Sequence, residues 1–153
     1  MKVLLGSICW LVAVAAGSAS CGGELAPANQ AQPGKSQSRP VTDYGSLLDR
    51  LRAGGAIVEP EGEAEQPFLS VTGTMIKLDG EDVQVFQYPD AAAVEAQAAR
   101  VSRDGSAVGT TKPHWIGPPH FYKRGRVLVL YVGDEEKVLK ALEAALGRQF
   151  AGK

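Results

Sequence analysis

Cysteine is scarce in this 153-residue chain, and its positions limit the chemistry available to the protein. Only Cys9 and Cys21 occur, and Cys9 lies in an apolar N-terminal stretch that we expect to be removed. Cys21 then remains alone. An intramolecular disulfide and a cysteine-rich zinc site are therefore both excluded for the mature chain.

An excess of charge of either sign is also lacking. The chain carries 16 Lys and Arg against 17 Asp and Glu, which gives a formal net charge of −1. Removal of Lys2 with the N-terminal stretch leaves 15 basic against 17 acidic residues. Because such a balance provides no basic surface for a phosphate backbone, we expect no nucleic-acid partner.

The apolar run at the N-terminus is too short to cross a bilayer. It extends over 14 residues, Val3–Ala16, whereas a membrane-spanning helix needs about 20. Lys2 precedes it, and the small residues Gly17–Ser20 follow it. A positive residue, a short apolar run and a small-residue cleavage site are typical of an export signal, so we predict a signal peptide over residues 1–20.

The residues around the predicted cleavage point carry a second signal. Ser18-Ala19-Ser20-Cys21 is followed by Gly22-Gly23 and resembles the bacterial lipobox, which implies that Cys21 is lipidated and anchors the protein to the membrane. The sequence departs from the usual pattern at Ser18, where an aliphatic residue is commoner. Plain secretion after cleavage at Ser20 is the alternative. By the usual sorting rule, Gly22 in place of Asp points to the outer membrane if the host has one.

A flexible tether is predicted to follow. Residues 21–41 are rich in Gly, Pro, Gln, Ser and Ala and have almost no large apolar side chains. Such a segment cannot bury enough surface to offset the entropy cost of folding. We therefore predict that a single folded domain occupies residues 42–153.

Alternating strand and helix patterns predict an α+β class for this domain. An N-terminal helix capped by Asp43, a short strand at Ala56–Glu59 and a second short strand at Phe68–Val71 come first. Two hairpins follow, in the segments Thr74–Tyr88, with its turn at Asp79-Gly80, and His120–Val132. Each is succeeded by an amphipathic helix, in the segments Asp90–Val101 and Asp134–Leu146, with Asp90 and Asp134 as the caps. The pattern predicts a ββαββα-like antiparallel sheet with its helices on one face.

The two ββα segments look alike at a constant offset of 44 residues. Val83-Gln84-Val85 with Asp90 corresponds to Val127-Leu128-Val129 with Asp134. An internal duplication and the ordinary recurrence of a strand–Asp–helix arrangement are both compatible with these matches.

A wider resemblance rests on four short segments. They are Gln66-Pro67-Phe68, Gly80–Phe86, Pro118–Tyr122 and Leu130–Gly133. Together they resemble small, uncharacterised bacterial lipoproteins, which implies a signal peptide followed by one domain. The resemblance implies no activity, cofactor or catalytic residue.

The stretch Lys112–Arg126 has the most unusual composition, because it contains both histidines of the chain. We identify a candidate binding surface there, formed by His114, Trp115, His120, Phe121 and Tyr122. A zinc site would need a third ligand from elsewhere, so we assign no metal. No G-x-S-x-G elbow or phosphate-binding glycine loop occurs, so we assign no catalytic residue and no cofactor.

Two functional hypotheses remain. The first is a membrane-anchored, non-catalytic module that binds an envelope protein through an open sheet face or through the Trp115, Phe121 and Tyr122 surface. The second is a lipoprotein that binds a small ligand or a metal with the segment His114–Tyr122. Convergence of the two histidines with a carboxylate would favour the second hypothesis.

Overall fold

The computed structural model describes residues 39–153. The predicted signal peptide, Cys21 and most of the tether lie outside these residues. In chain order, the elements are α1 (Tyr44–Ala53), β1 (Val58–Ala64), β2 (Gly73–Leu78), β3 (Glu81–Gln87), α2 (Ala91–Ala98), β4 (Pro119–Arg124), β5 (Val127–Val132), α3 (Glu136–Leu146) and β6 (Ala151–Gly152). The strands form one antiparallel sheet in the order β1-β2-β3-β5-β4-β6, which confirms the α+β class.

Local sequence signals account for the helix starts and the first hairpin. Asp43 caps α1 by accepting a hydrogen bond from the backbone N–H of Ser46 at 2.9 Å, and Asp90 caps α2 in the same way. Between β2 and β3, Asp79 and Gly80 have φ angles of 53° and 97°. Two consecutive left-handed residues are typical of the type I′ turn that suits the twist of a tight hairpin.

Helices cover both faces of the sheet, so the prediction that they lie on one face is wrong. Successive residues of β5 point to opposite faces, and every one from Val127 to Tyr131 is buried. The first face packs against α1 and α3. The second packs against α2 and the connecting segments around Phe68 and Val108. A strand that is apolar on both sides requires cover on both sides, and α2 provides part of the second layer.

The pairing of β3 with β5 has a two-fold symmetric register, but the helices that follow these strands do not share the symmetry. Val85 pairs with Val129, and Val83 pairs with Tyr131. A two-fold axis through the Val85–Val129 pair would therefore exchange each residue of β3 with the residue of β5 that lies 44 positions later. A two-fold axis normal to a sheet maps each face onto itself. Because α2 and α3 pack on opposite faces, the symmetry is limited to the paired strands.

Three further elements differ from the predicted ones. β1 continues past Pro60 to Ala64 and has an irregular register between Pro60 and Gly62; a proline is tolerated there because β1 is an edge strand. Phe68 and Leu69 pack into the second core without forming a strand. β6, which pairs with β4 at the opposite edge, was not predicted at all.

The described helices are also short. None within residues 39–153 has both the length and the apolar composition required to cross a membrane.

Candidate functional site

The structure separates the five residues of the candidate binding surface. Phe121 and Tyr122 are neighbours on β4, so their side chains point to opposite faces. Phe121 is fully buried in the second core, and Tyr122 is buried in the first. His120 is also buried, at 5% exposure. Only His114 is exposed, while Trp115 is half-buried, so the five side chains do not form one continuous surface.

Trp115 fixes the loop of residues 112–118. Its ring packs edge-on against Phe68 and Phe121, with centroids 5.7 Å and 6.0 Å away. Its indole Nε1 donates a hydrogen bond to the carbonyl oxygen of Gly105 at 2.8 Å. These contacts immobilise the middle of the loop against the second face of the sheet.

The residue that follows Trp115 points away from the protein. Ile116 is 96% exposed, more than the other exposed large hydrophobic residue of the described part, Ile57 at 64%. His114, on the other side of Trp115, is exposed as well. The anchored indole thus lies between two exposed side chains in the sequence, those of His114 and Ile116.

His120 lies in a different environment. Its Nδ1 is 2.6 Å from Oε1 of Gln149, while Nε2 of Gln149 donates to the carbonyl oxygen of Lys153 at 3.3 Å. Because the amide oxygen only accepts, Nδ1 of His120 carries the proton. The other ring nitrogen, Nε2, is buried and has no hydrogen-bond partner among the described residues. A buried polar atom in this state costs about 1–3 kcal/mol.

A cavity of about 480 Å³ lies beside His120, within the size range of small-molecule sites. β4 contributes His120 and Tyr122, α3 contributes Leu139 and Glu143, and the C-terminal segment closes one side. The basic side chains in the wall are Arg103, Arg148 and Lys153.

The Tyr122 hydroxyl is kept in its protonated form. Burial, together with the nearby Glu143 carboxylate, raises the pKa of Tyr122 to about 12. The phenol is therefore a hydrogen-bond donor throughout the neutral range.

The two histidines do not converge. His114 lines a second cavity together with Trp115, Asp104 and Pro118, and His120 is not part of that wall. Within residues 39–153, no three His, Cys, Asp or Glu side chains lie close enough to hold a metal ion. The geometry thus gives no support to a metal site shared by the two histidines.

Sequence reasoning missed both the exposed side chain and most of the cavity wall. Ile116 lies inside the segment that the sequence singled out, yet its exposure depends on Trp115 turning inward. Arg103 is far in the chain from Glu143 and Arg148, and it lines the same cavity as these two residues where β6 returns to pair with β4. Gly152 marks this return, since its φ of 120° favours glycine.

Comparisons with known proteins add no assignment. The chain matches no family model, no curated protein and no solved structure.

Proposed function

We propose that this protein is an exported lipoprotein, held at the cell envelope by lipid on Cys21, whose domain is a non-catalytic module that binds an envelope protein. The signal pattern of residues 1–20 and the Cys21-Gly22-Gly23 sequence support the anchor. If the host has an outer membrane, Gly22 favours that membrane as its location.

Ile116 is the observation that supports partner binding most strongly. Burying an isoleucine side chain gains about 1.5–3 kcal/mol relative to leaving it exposed, and at 96% exposure this gain is unrealised in the isolated chain. Because Trp115 holds the loop, little conformational entropy would be lost on docking. An apolar anchor with a polar neighbour is typical of the centre of a protein interface.

Docking on an open sheet face, which was the alternative way to bind a partner, is not supported by the described domain. The central strands β3 and β5 are covered on both sides by helices or connecting segments. The surfaces that remain available to a partner of the described domain are its loops and sheet edges. This favours the loop of residues 112–118 over the remainder of the originally proposed surface.

The arrangement around the histidines favours a role without catalysis. In the described part of the chain, the hydrogen-bond partner of His120 is Gln149, which is neither a nucleophile nor a carboxylate that could orient a catalytic base. Nucleophilic catalysis would require Ser, Thr or Cys against a general base.

The proposal is tested by crosslinked affinity purification of the lipidated protein from its native envelope. We expect one partner with the wild type, its loss with Ile116→Asp, and its retention with Ile57→Asp, a matched control at the other exposed isoleucine. Cys21→Ser should release the protein from the membrane, and the mass of the mature N-terminal peptide should include the lipid. Equal recovery with Ile116→Asp, or an unlipidated N-terminus, contradicts the corresponding half of the proposal.

A further inference from the structure

The cavity beside β4 has a polar wall group that the described protein leaves unused. Tyr122 contributes a protonated hydroxyl to this wall. Gln149 fixes the neighbouring His120 ring through Nδ1, whereas Nε2 of that ring has almost no accessible surface. A phenol held in a cavity is suited to hydrogen-bonding a ligand.

The charges in the wall favour an anion. Arg103, Arg148 and Lys153 are exposed, and none of the three is ion-paired within residues 39–153. Glu143 is the acidic side chain of the same wall, so the cations outnumber it. Guanidinium groups match the oxygen geometry of phosphate, and unpaired cations around a cavity attract an anion from solution.

We infer that this cavity binds a small ligand through a phosphate group, with Arg103 and Arg148 neutralising its charge and the Tyr122 hydroxyl donating a hydrogen bond to a phosphate oxygen. Leu139 and Phe150, also in the wall, provide apolar contact for an organic substituent. His120 and Tyr122 lie on the face of β4 opposite Phe121, which Trp115 contacts. The site is therefore independent of docking by the 112–118 loop and goes beyond the proposed partner binding.

Phosphate titration of the full mature chain in detergent tests this site. His114→Gln leaves His120 as the single histidine, so imidazole NMR signals report on the cavity alone. We expect inorganic phosphate and glycerol 3-phosphate to shift the His120 Nε2 signal saturably. The double variant Arg103→Gln, Arg148→Gln should weaken binding by about tenfold or more. Both side chains are exposed, so this variant keeps the fold, and circular dichroism verifies that it does.

Arg124→Gln is the matched control, because Arg124 is an exposed arginine on β4 that is not part of the cavity wall. It should leave the affinity unchanged. No saturable shift up to about 10 mM phosphate, or equal weakening by Arg124→Gln, would overturn the inference.

Vesicles containing phosphatidylglycerol distinguish a lipid headgroup from a soluble phosphate ester. Vesicle binding that the double variant abolishes assigns the site to a headgroup, whereas binding of glycerol 3-phosphate without vesicle binding assigns it to a soluble ligand. Both outcomes support a phosphate site. Vesicle binding that persists in the double variant, without binding of glycerol 3-phosphate, contradicts it.

Discussion

The loop that presents Ile116 depends on the indole of Trp115, and removal of this ring should destabilise the domain measurably. Each of the two edge-on aromatic contacts contributes about 0.5–1.5 kcal/mol beyond the buried area. The hydrogen bond to Gly105 contributes about 1 kcal/mol. Together with the partly buried surface of the ring, we expect Trp115→Ala to lower the free energy of unfolding by about 2–4 kcal/mol.

Trp115→Phe separates the hydrogen bond from the packing. Phenylalanine retains an aromatic ring for contact with Phe68 and Phe121 but has no donor for the Gly105 carbonyl. We therefore expect a loss of about 1 kcal/mol. Ile116→Ala is the control, since its side chain is 96% exposed and surface substitutions usually change stability by less than about 0.5 kcal/mol.

Urea unfolding of the soluble Cys21→Ser chain, followed by far-ultraviolet circular dichroism, measures these differences. Tryptophan fluorescence is unsuitable, because Trp10 lies in the predicted signal peptide and Trp115 is the tryptophan being replaced. Hydrogen exchange of the backbone amides of residues 112–118 should accelerate in Trp115→Ala. A loss below about 1 kcal/mol, equal to that of Ile116→Ala, would refute the claim that the indole holds the loop.

Two further substitutions test the sheet edge and the hairpin turn. Gly152→Ala should lower the free energy of unfolding by about 1–3 kcal/mol or more in thermal or urea unfolding, because a Cβ there would lie 2.1 Å from the carbonyl oxygen of Pro119 at a φ of 120°. Gly62 has open space around it, so the control Gly62→Ala should be nearly neutral. Equal effects of the two substitutions would argue against the close approach of β6 to β4. The hydrogen bond from Lys137 lowers the pKa of the Asp79 carboxyl from its usual 3.8. The ionised carboxylate therefore stabilises the folded state at pH values above 3.8, and this stabilisation is lost as the pH falls through the lowered pKa of the folded protein. Asp79→Asn retains a residue tolerant of the left-handed turn and should be less stable than the wild type at pH 7, with the gap closing in strong acid; a gap independent of pH would contradict the ion pair.

The local structure of this domain follows closely from its sequence. Asp43 and Asp90 cap α1 and α2 at the predicted positions, and Asp79-Gly80 forms the predicted hairpin turn. The cap of α3 is Glu135 and not the predicted Asp134. Each signal depends on residues within a few positions of one another, where backbone preference and capping chemistry dominate. The burial of β5 on both faces corresponds to its unbroken apolar run, Val127–Val132.

Placement of the helices could not be derived in the same way. The length and polarity of the segment after β3 are compatible with a helix on either face of the sheet. The choice is set by the fit of Val94 against Phe86 and Leu128 in the second core. These contacts join segments distant in sequence, so pattern reasoning favoured the symmetric arrangement.

The candidate site was predictable only in part. The composition of Lys112–Arg126 singled out the stretch that contains Trp115 and Ile116, but not the inward turn of Trp115 or the exposure of Ile116. The cavity is assembled by residues from the loop after α2, from β4, from α3 and from the C-terminal segment. No short motif encodes this cavity, because its wall is complete only when β6 pairs with β4.

Photocrosslinking from position 116 tests the central claim most directly. A photoreactive amino acid replaces Ile116 in the full-length protein and, in a parallel sample, the control residue Ile57. Both samples are irradiated in the native envelope. We expect one discrete crosslinked partner from position 116 and none from position 57. No crosslink from position 116, or the same crosslinks from both positions, would contradict docking through this loop.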